Sequence, residues 1–369
     1  MIYLDNAATT YQKPDEVYEE MDRVNRTLSV NAGRGGYKAA REASAILDDL
    51  KDNLRHLFGC SGRVILTPSV TIALYEILNG IEFTQESVIY ESPYEHNAVA
   101  RNIEAIRKRT GCTVQMLPLL DDLSIDLDKT AYLFAQDKPT VVIMNALSNV
   151  TGYPLPIKEL CSLAKEYDAI TIIDAAQAGG LLELNMKDIQ ADVICFAGHK
   201  SLYGPFGIGG AVLNPAYKHN AVIAGGTGSD SLKLDMPSGS DPASPNIVAA
   251  AGLNAALKVL NVAEHHKKIS NLTEYLIGRL KDLPKVRLMG VTDKTLGVVS
   301  ITVDGYSASD VGQILDDEFD IAVREGYHCA PFIHDYLKDK GTAGTVRVGL
   351  GIYNTEDDID HLIMALQTL

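Results

Sequence analysis

The sequence lacks an excess of positive charge, and this absence excludes several classes of protein. Its 369 residues include 33 Lys or Arg against 48 Asp or Glu, so the formal net charge is −15 at pH 7. Nucleic acids and anionic membranes are bound by basic surfaces. We therefore expect neither a nucleic-acid partner nor a membrane partner, and we interpret the acidity as a contribution to solubility.

Long apolar runs and an N-terminal leader are also missing. The apolar runs at residues 141–144 and 170–173 are far too short to span a bilayer. Residues 1–6 contain no basic stretch that leads into an apolar core, as a signal peptide would. These two features predict a protein of the cytoplasm.

Cysteine is scarce, and its spacing follows no metal-binding pattern. The five cysteines are Cys60, Cys112, Cys161, Cys195 and Cys329. They form an odd, scattered set without the close spacing of metal ligands, so we predict no metal site. Most of them are expected to be reduced and buried, as in a cytosolic protein.

The chain does have a regular alternation of short apolar runs and amphipathic stretches. This alternation is typical of βαβ units around a largely parallel sheet. The predicted strands are residues 64–66, 87–90, 114–117, 141–146, 170–173, 193–196 and 209–213. Between two of them, Pro156 opens a predicted helix whose apolar residues recur at helical spacing.

The pattern changes near residue 245, where two long helical stretches begin and continue to about residue 283. Shorter strands and helices follow, with strands predicted at 297–303, 321–323 and 345–348. We therefore predict an α/β protein of two domains. Residues 15–250 form a large, mostly parallel-sheet domain, and residues 1–14 and 251–369 form a small α+β domain.

Lys200 is the residue that points most directly to a chemistry. A lysine that forms an imine with an aldehyde cofactor needs a carboxylate at the far end of the cofactor ring, where it keeps the ring nitrogen protonated. Asp174 lies about one strand–helix–strand unit upstream of Lys200. His96 and Asn149 also follow predicted strands, and open parallel sheets bind ligands at the carboxyl ends of their strands. The sequence therefore predicts one pocket at that edge.

Each of these residues also has a plainer interpretation when it is taken alone. The hydroxyls of residues 67–71 suit a phosphate group at a helix start, but Ser69 is equally an ordinary helix N-cap. His96 and Asp174 are residue types that often begin a helix. Asn149 lies in an Asn-x-x-Gly stretch that is equally a turn. Their common order and position favour the functional interpretation.

The chain resembles a known family over essentially its whole length. The order of its motifs is similar to that of cysteine desulfurases and selenocysteine lyases, in the class V aminotransferase group of fold-type I pyridoxal phosphate enzymes. The matching stretches are residues 3–10, 31–35, 95–96, 148–150, 174–177, 198–200 and 326–331, then Arg347 with residues 353–356.

The resemblance implies how pyridoxal phosphate would be held. Lys200 would bind it covalently, Asp174 would pair with the ring nitrogen, and His96 would stack on the ring and serve in proton transfer. The implied contacts with the remaining groups are Asn149 and Gln177 at the ring oxygen, Thr71 and His199 at the phosphate, and Thr227 at the phosphate from a second subunit. A homodimer with shared active sites is therefore expected.

The resemblance also implies a substrate site and a sulfur acceptor. Arg347 would bind the substrate carboxylate, with Asn31 and Arg34 at the mouth of the site. Cys329 would attack the substrate sulfur and become a persulfide, which a sulfur-acceptor protein could then receive. His328 and Arg324 are the basic residues near Cys329 in sequence that are candidates for activating it.

The expected reaction is the removal of sulfur from L-cysteine, which leaves alanine and a persulfide on Cys329. Three alternatives stay open at this stage. Selenocysteine lyase activity would use the same residues. A transaminase, epimerase or sulfur-independent lyase would need Lys200 and Arg347 but not Cys329. A sulfur carrier or scaffold would use Cys329 mainly to load a partner.

Several positions depart from the family pattern. Ala197 stands where a serine often contacts phosphate, and Ser201 resembles an insertion after the lysine. Gly33 and Tyr37 stand where one group of the family carries histidines, and Gly349 replaces a usual serine. These departures indicate a divergent subfamily and leave its preferred substrate open.

Overall fold

The computed structural model describes residues 1–33, 35–227, 232–236 and 243–369. Its strands are β1 Ile2–Tyr3, β2 Val64–Thr67, β3 Val88–Glu91, β4 Thr113–Met116, β5 Val141–Asn145, β6 Ile170–Asp174, β7 Val193–Ala197, β8 Gly209–Leu213, β9 Val286–Met289, β10 Val298–Val303, β11 Ile321–Ala322, β12 Arg324–Gly326 and β13 Thr345–Gly349. Its α-helices are α1 Asp15–Thr27, α2 Lys38–Leu57, α3 Val70–Asn79, α4 Asn97–Thr110, α5 Leu127–Gln136, α6 Ile157–Lys165, α7 Met186–Ile189, α8 Ile247–Val259, α9 Val262–Lys281, α10 Ala308–Phe319, α11 Ile333–Leu337 and α12 Glu356–Thr368.

The large sheet has the strand order β2-β8-β7-β6-β5-β3-β4. Neighbouring strands from β7 to β4 are parallel, whereas β8 is antiparallel to both β2 and β7. Val142 and Met144 of β5 pack into one apolar core, and Val141 and Ile143 pack into the other. The alternation of side chains along a strand thus buries both faces, which is why this strand reads as a continuous apolar run. The predicted α/β class with a mostly parallel sheet is confirmed.

A second sheet, in the order β12-β13-β10-β9, is antiparallel throughout. A separate pair joins β1 to β11, with Ile2 opposite Ile321. This pairing places the first residues of the chain beside its C-terminal part. β9 was missing from the sequence prediction, and only half-buried or exposed residues form it, so its apolar pattern is weak.

Helix α8 packs against α1 and α2. Ile247 and Ala251, on either side of the predicted domain boundary, lie in one apolar cluster with Val24 and Ala43. The boundary at residues 250 and 251 therefore falls inside a single helix, and the division into domains stays a prediction. Among the described residues, no single helix is long and apolar enough to cross a membrane, although α8 and α9, bent by 79°, pass that test as a pair.

Candidate active site

A cavity of about 230 Å³ lies at the carboxyl ends of the parallel strands. Its lining brings together most of the residues that the sequence singled out. They are Thr71, His96, Asn149, Asp174, Gln177, His199, Lys200 and Arg347. The cluster forms because β6 and β7 end side by side and the loops that follow β2, β3 and β5 open at the same edge.

Asp174 is buried and Lys200 half-buried at this cavity, and the charge of each affects the pKa of the other. Burial lowers the pKa of the Lys200 ammonium from 10.5 to about 8, while nearby Asp174 opposes that shift. Burial also raises the pKa of Asp174. Two effects oppose this shift: a hydrogen bond that Asp174 Oδ1 accepts from the Ala176 N–H at 2.9 Å, and the charge of Lys200. The site therefore holds an amine that is unusually easy to deprotonate.

His96 is both a helix cap and a wall of the cavity. Its Nδ1 accepts a hydrogen bond from the Ala98 N–H at 3.0 Å at the start of α4. Burial, followed by the charge of Lys200, lowers the His96 pKa from 6.5 to about 4. The ring is therefore neutral at pH 7 and carries its proton on Nε2. The helix cap is therefore present and the same side chain lines the cavity, while the stacking and proton-transfer role of His96 stays a prediction.

The start of α3 forms another wall of the cavity. Ser69 caps this helix, since its Oγ accepts from the Ile72 N–H at 3.4 Å, and Thr71 follows in the first turn. His199 faces the same cavity and stacks on Phe206 with ring centroids 4.6 Å apart. Burial lowers the pKa of His199 to about 4. Free N–H groups and a neutral imidazole make this end suitable for an anion.

Arg347 is the largest fully buried side chain among the described residues. Its Nη2 donates to Asp5 Oδ1 at 2.7 Å, and its Nη1 donates to the Asn149 carbonyl at 3.1 Å. Burial lowers the pKa of Arg347, and Asp5 opposes that shift. The role of Asp5 was missed at the sequence level, although residue 5 belongs to one of the motifs that carried the resemblance.

Cys329 lies in a neighbouring groove of about 640 Å³ rather than in the lining of the cavity. Arg324 lines both spaces and donates from Nη2 to Cys329 Sγ at 3.1 Å. His328 instead contacts Thr345, with 2.8 Å between Nε2 and Oγ1. Of the two basic residues that the sequence offered, Arg324 is therefore the one whose side chain contacts the sulfur.

Two predicted residues, Asn31 and Thr227, do not line the cavity. Asn31 is exposed and donates to Ser244 Oγ at 3.0 Å. Arg34 lies outside the described residues. The roles proposed for these three residues stay predictions.

One departure from the family pattern has a direct steric reason. A Cβ added to Gly349 would lie 2.8 Å from the Ala7 backbone nitrogen. The close approach is held by a hydrogen bond from the Gly349 N–H to the Leu4 carbonyl at 2.6 Å and by another from the Asn6 N–H to the Gly349 carbonyl at 3.1 Å. The glycine therefore lets the N-terminal segment lie directly against β13, beside Arg347.

Comparisons with known proteins agree with this geometry. The aminotransferase class-V family matches residues 2–362. A probable cysteine desulfurase of Streptomyces coelicolor is 30% identical over 392 residues, which cover 100% of this chain and 91% of that protein. A probable cysteine desulfurase of Haemophilus influenzae is 31% identical over 388 residues, with 99% and 85% covered. The solved cysteine desulfurase of Thermococcus onnurineus NA1 superposes with a TM-score of 0.90 at 26% identity and covers 99% of this chain and 94% of its own. The chain belongs to the aminotransferase class-V family.

Proposed function

We propose that the cavity holds pyridoxal 5′-phosphate. Three observations support the fit. Lys200 is half-buried with a lowered pKa, and it lines the same cavity as the buried carboxylate of Asp174. The start of α3 offers N–H groups at one wall. Asn149 Oδ1 and His199 Nδ1 are buried without a hydrogen-bond partner among the described residues, and such atoms are costly unless a ligand supplies their partner.

In this proposal each lining residue has a defined task. Lys200 binds the aldehyde carbon, and the negative charge of Asp174 keeps the ring nitrogen protonated. His96 would stack on the ring, while Asn149 and Gln177 would contact the ring oxygen. The phosphate is bound by Thr71, His199 and the start of α3. When bound, the cofactor supplies an electron sink for charge that develops on the substrate.

We propose that the enzyme is an L-cysteine desulfurase. The Cβ–S bond of the substrate breaks, an S–S bond forms on Cys329, and a proton takes the place of sulfur at Cβ to give L-alanine. Carbon gains the electron pair that sulfur loses, so no external oxidant or reductant enters this half of the reaction. Arg347 binds the substrate carboxylate, and the neutral amine of Lys200 moves the proton from the α-carbon.

The observation that carries the proposal is the placement of Arg324 between two reactive groups. It lines the cavity that contains Lys200 and also contacts the sulfur of Cys329 in the adjoining groove. A guanidinium in that position balances the charge of an attacking thiolate at the mouth of the cavity. Relatives named cysteine desulfurase support the same chemistry.

We further propose a homodimer in which Thr227 reaches the partner's phosphate site. Leu232 and Leu234 are fully exposed in the single chain, and a second copy that covers this segment would remove their apolar surface from water. A sulfur-acceptor protein at the Cys329 groove, a cytoplasmic location and the absence of nucleic-acid and membrane partners stay predictions.

The deciding experiment is anaerobic alanine release from L-cysteine and from L-selenocysteine, with a reductant. The variants are Lys200→Ala and Cys329→Ser, with Cys60→Ser as a matched control because Cys60 is buried and lines neither the cavity nor the Cys329 groove. We expect alanine from cysteine with the native protein and the control only. Release from selenocysteine alone that survives Cys329→Ser would replace the proposal with a selenocysteine lyase. No alanine from either substrate would overturn the reaction.

A further inference from the structure

The segment that carries Cys329 has an unusual backbone. Gly326, His328 and Cys329 have φ angles of +96°, +48° and +57°. The last two are not glycines, and residues with a Cβ rarely adopt this region because the Cβ comes too close to the following carbonyl oxygen. Such a conformation persists only where the surrounding contacts determine it.

Hydrogen bonds hold three successive carbonyl groups of this segment. The Tyr327 carbonyl accepts from the Ala330 N–H at 2.9 Å. The His328 carbonyl accepts from Asn149 Nδ2 at 2.8 Å. The Cys329 carbonyl accepts from the Asn97 N–H at 2.7 Å. Asn149 follows strand β5 of the large sheet, and Asn97 is the first residue of α4. These two contacts therefore attach the segment to the walls of the site.

The Tyr327 carbonyl has one further contact, and it comes from His334 of α11. The distance from His334 Nε2 to this oxygen is 3.0 Å, and the distance from Nδ1 to Asp339 Oδ2 is 2.5 Å. Both His334 and Asp339 are buried. The carbonyl oxygen can only accept, so Nε2 is the donor in that contact, while Nδ1 pairs with the Asp339 carboxyl group.

A buried contact between a histidine and a carboxyl group is more than a packing element. Asp339 Oδ1 has no hydrogen-bond partner among the described residues, so the contact of this carboxylate with His334 is its main side-chain interaction there. Neither residue lines the cofactor cavity. The His334 ring lies in the Cys329 groove, edge-on to the Tyr327 ring with centroids 5.1 Å apart and 5.9 Å from the His328 ring. Its hydrogen bond to this segment is made at the Tyr327 carbonyl, two residues before Cys329.

We propose that His334 is a positioning residue for sulfur transfer. Supported by Asp339, it holds the Tyr327 carbonyl, and this contact keeps the strained segment in the form that places Cys329 Sγ beside Arg324. This inference rests on the proposed desulfurase function. His334 does not touch the substrate, so its loss lowers the rate of sulfur transfer and leaves substrate binding unchanged.

Two substitutions separate the two contacts of the ring. His334→Gln places an amide nitrogen near the position of Nε2 and keeps the donor to Tyr327. His334→Asn places its amide near the position of Nδ1 and keeps only the donor to Asp339. His361→Gln is the matched control, since His361 is exposed on α12 and its Nδ1 contacts the Asp357 carbonyl of the same helix.

The first measurement is hydrogen exchange of the backbone amides in residues 326–331, made on the full chain loaded with pyridoxal phosphate. It does not depend on desulfurase activity. We expect exchange to quicken at least tenfold in His334→Asn and to change less than threefold in His334→Gln and in the control. Unchanged exchange in His334→Asn would overturn the anchoring role, even if the native protein proved to release no alanine.

The second measurement is alanine release from L-cysteine. We expect kcat to fall about tenfold in His334→Asn with KM within twofold of the native value, and His334→Gln to keep more than half of kcat. Equal losses in both variants, or a loss confined to KM, would overturn positioning through Tyr327. If the native protein is inactive, the proposed function fails and the exchange result still decides whether His334 anchors the segment.

Discussion

Arg347 and Asp5 form an ion pair that joins the two ends of the chain at the candidate site. Arg347 Nη2 and Asp5 Oδ1 are 2.7 Å apart, although 342 positions separate the residues in sequence. The guanidinium is 1% exposed and the carboxylate 20% exposed. A buried guanidinium needs a charged partner, so the N-terminal segment is part of the site rather than a peripheral strand.

We expect Asp5→Ala to destabilise the protein by about 3 kcal/mol, because it leaves the buried Arg347 charge uncompensated. Urea unfolding followed by circular dichroism measures the change. Asp22→Ala removes an exposed pair with Arg26 and serves as the control, with an expected change below about 1 kcal/mol. Equal effects of the two substitutions would contradict the importance of the buried pair.

The lowered pKa of Lys200 predicts how cofactor binding depends on pH. Only a neutral amine adds to an aldehyde, and the Lys200 pKa is about 8 rather than 10.5. The rate of covalent binding of pyridoxal phosphate to the cofactor-free protein should therefore rise about tenfold per pH unit below pH 8 and level off above it. Stopped-flow absorbance measures this rate. A rate that still climbs tenfold between pH 9 and pH 10 would contradict the lowered pKa.

Asp174→Asn tests the need for a negative charge at the ring nitrogen. Asparagine retains an oxygen that can accept from the Ala176 N–H, so the fold should be unaffected. We expect kcat for alanine release to fall at least about 100-fold, since an amide cannot hold a positive charge in place as a carboxylate does. Asp137→Asn, on the surface, is the control. Activity within tenfold of the native value would remove Asp174 from the mechanism.

Gly349→Ala tests the close contact between β13 and the N-terminal segment. The added Cβ would lie 2.8 Å from the Ala7 nitrogen and 3.1 Å from the Ala7 Cβ. We expect a loss of stability of about 1–3 kcal/mol from this overpacking, visible as a lower thermal midpoint. Gly278→Ala, where a new Cβ meets nothing within 4 Å, should be neutral or slightly stabilising because it lies in a helix.

Local pattern was enough to predict the large sheet and the principal polar residues of the cavity. Residues 141–144 and 193–197 are apolar throughout because both faces of the sheet are covered. Lys200 and Asp174 were identifiable because the residues that follow parallel strands meet at one edge. His96 and Ser69 act as caps, as their plainer interpretations predicted, and they line the cavity as well.

The remaining features depend on contacts between distant parts of the chain. No local pattern predicts that residue 5 pairs with residue 347. Nor does one predict that Arg324, rather than His328, contacts Cys329. The contact of His334 with the Tyr327 carbonyl is equally invisible in the sequence. The sequence by itself determined the parallel sheet and the residues at its carboxyl edge, because periodicity and strand ends are local properties. Only the tertiary structure decided which charges are buried together and how the Cys329 segment is held, because both depend on how the two ends of the chain close over the sheet.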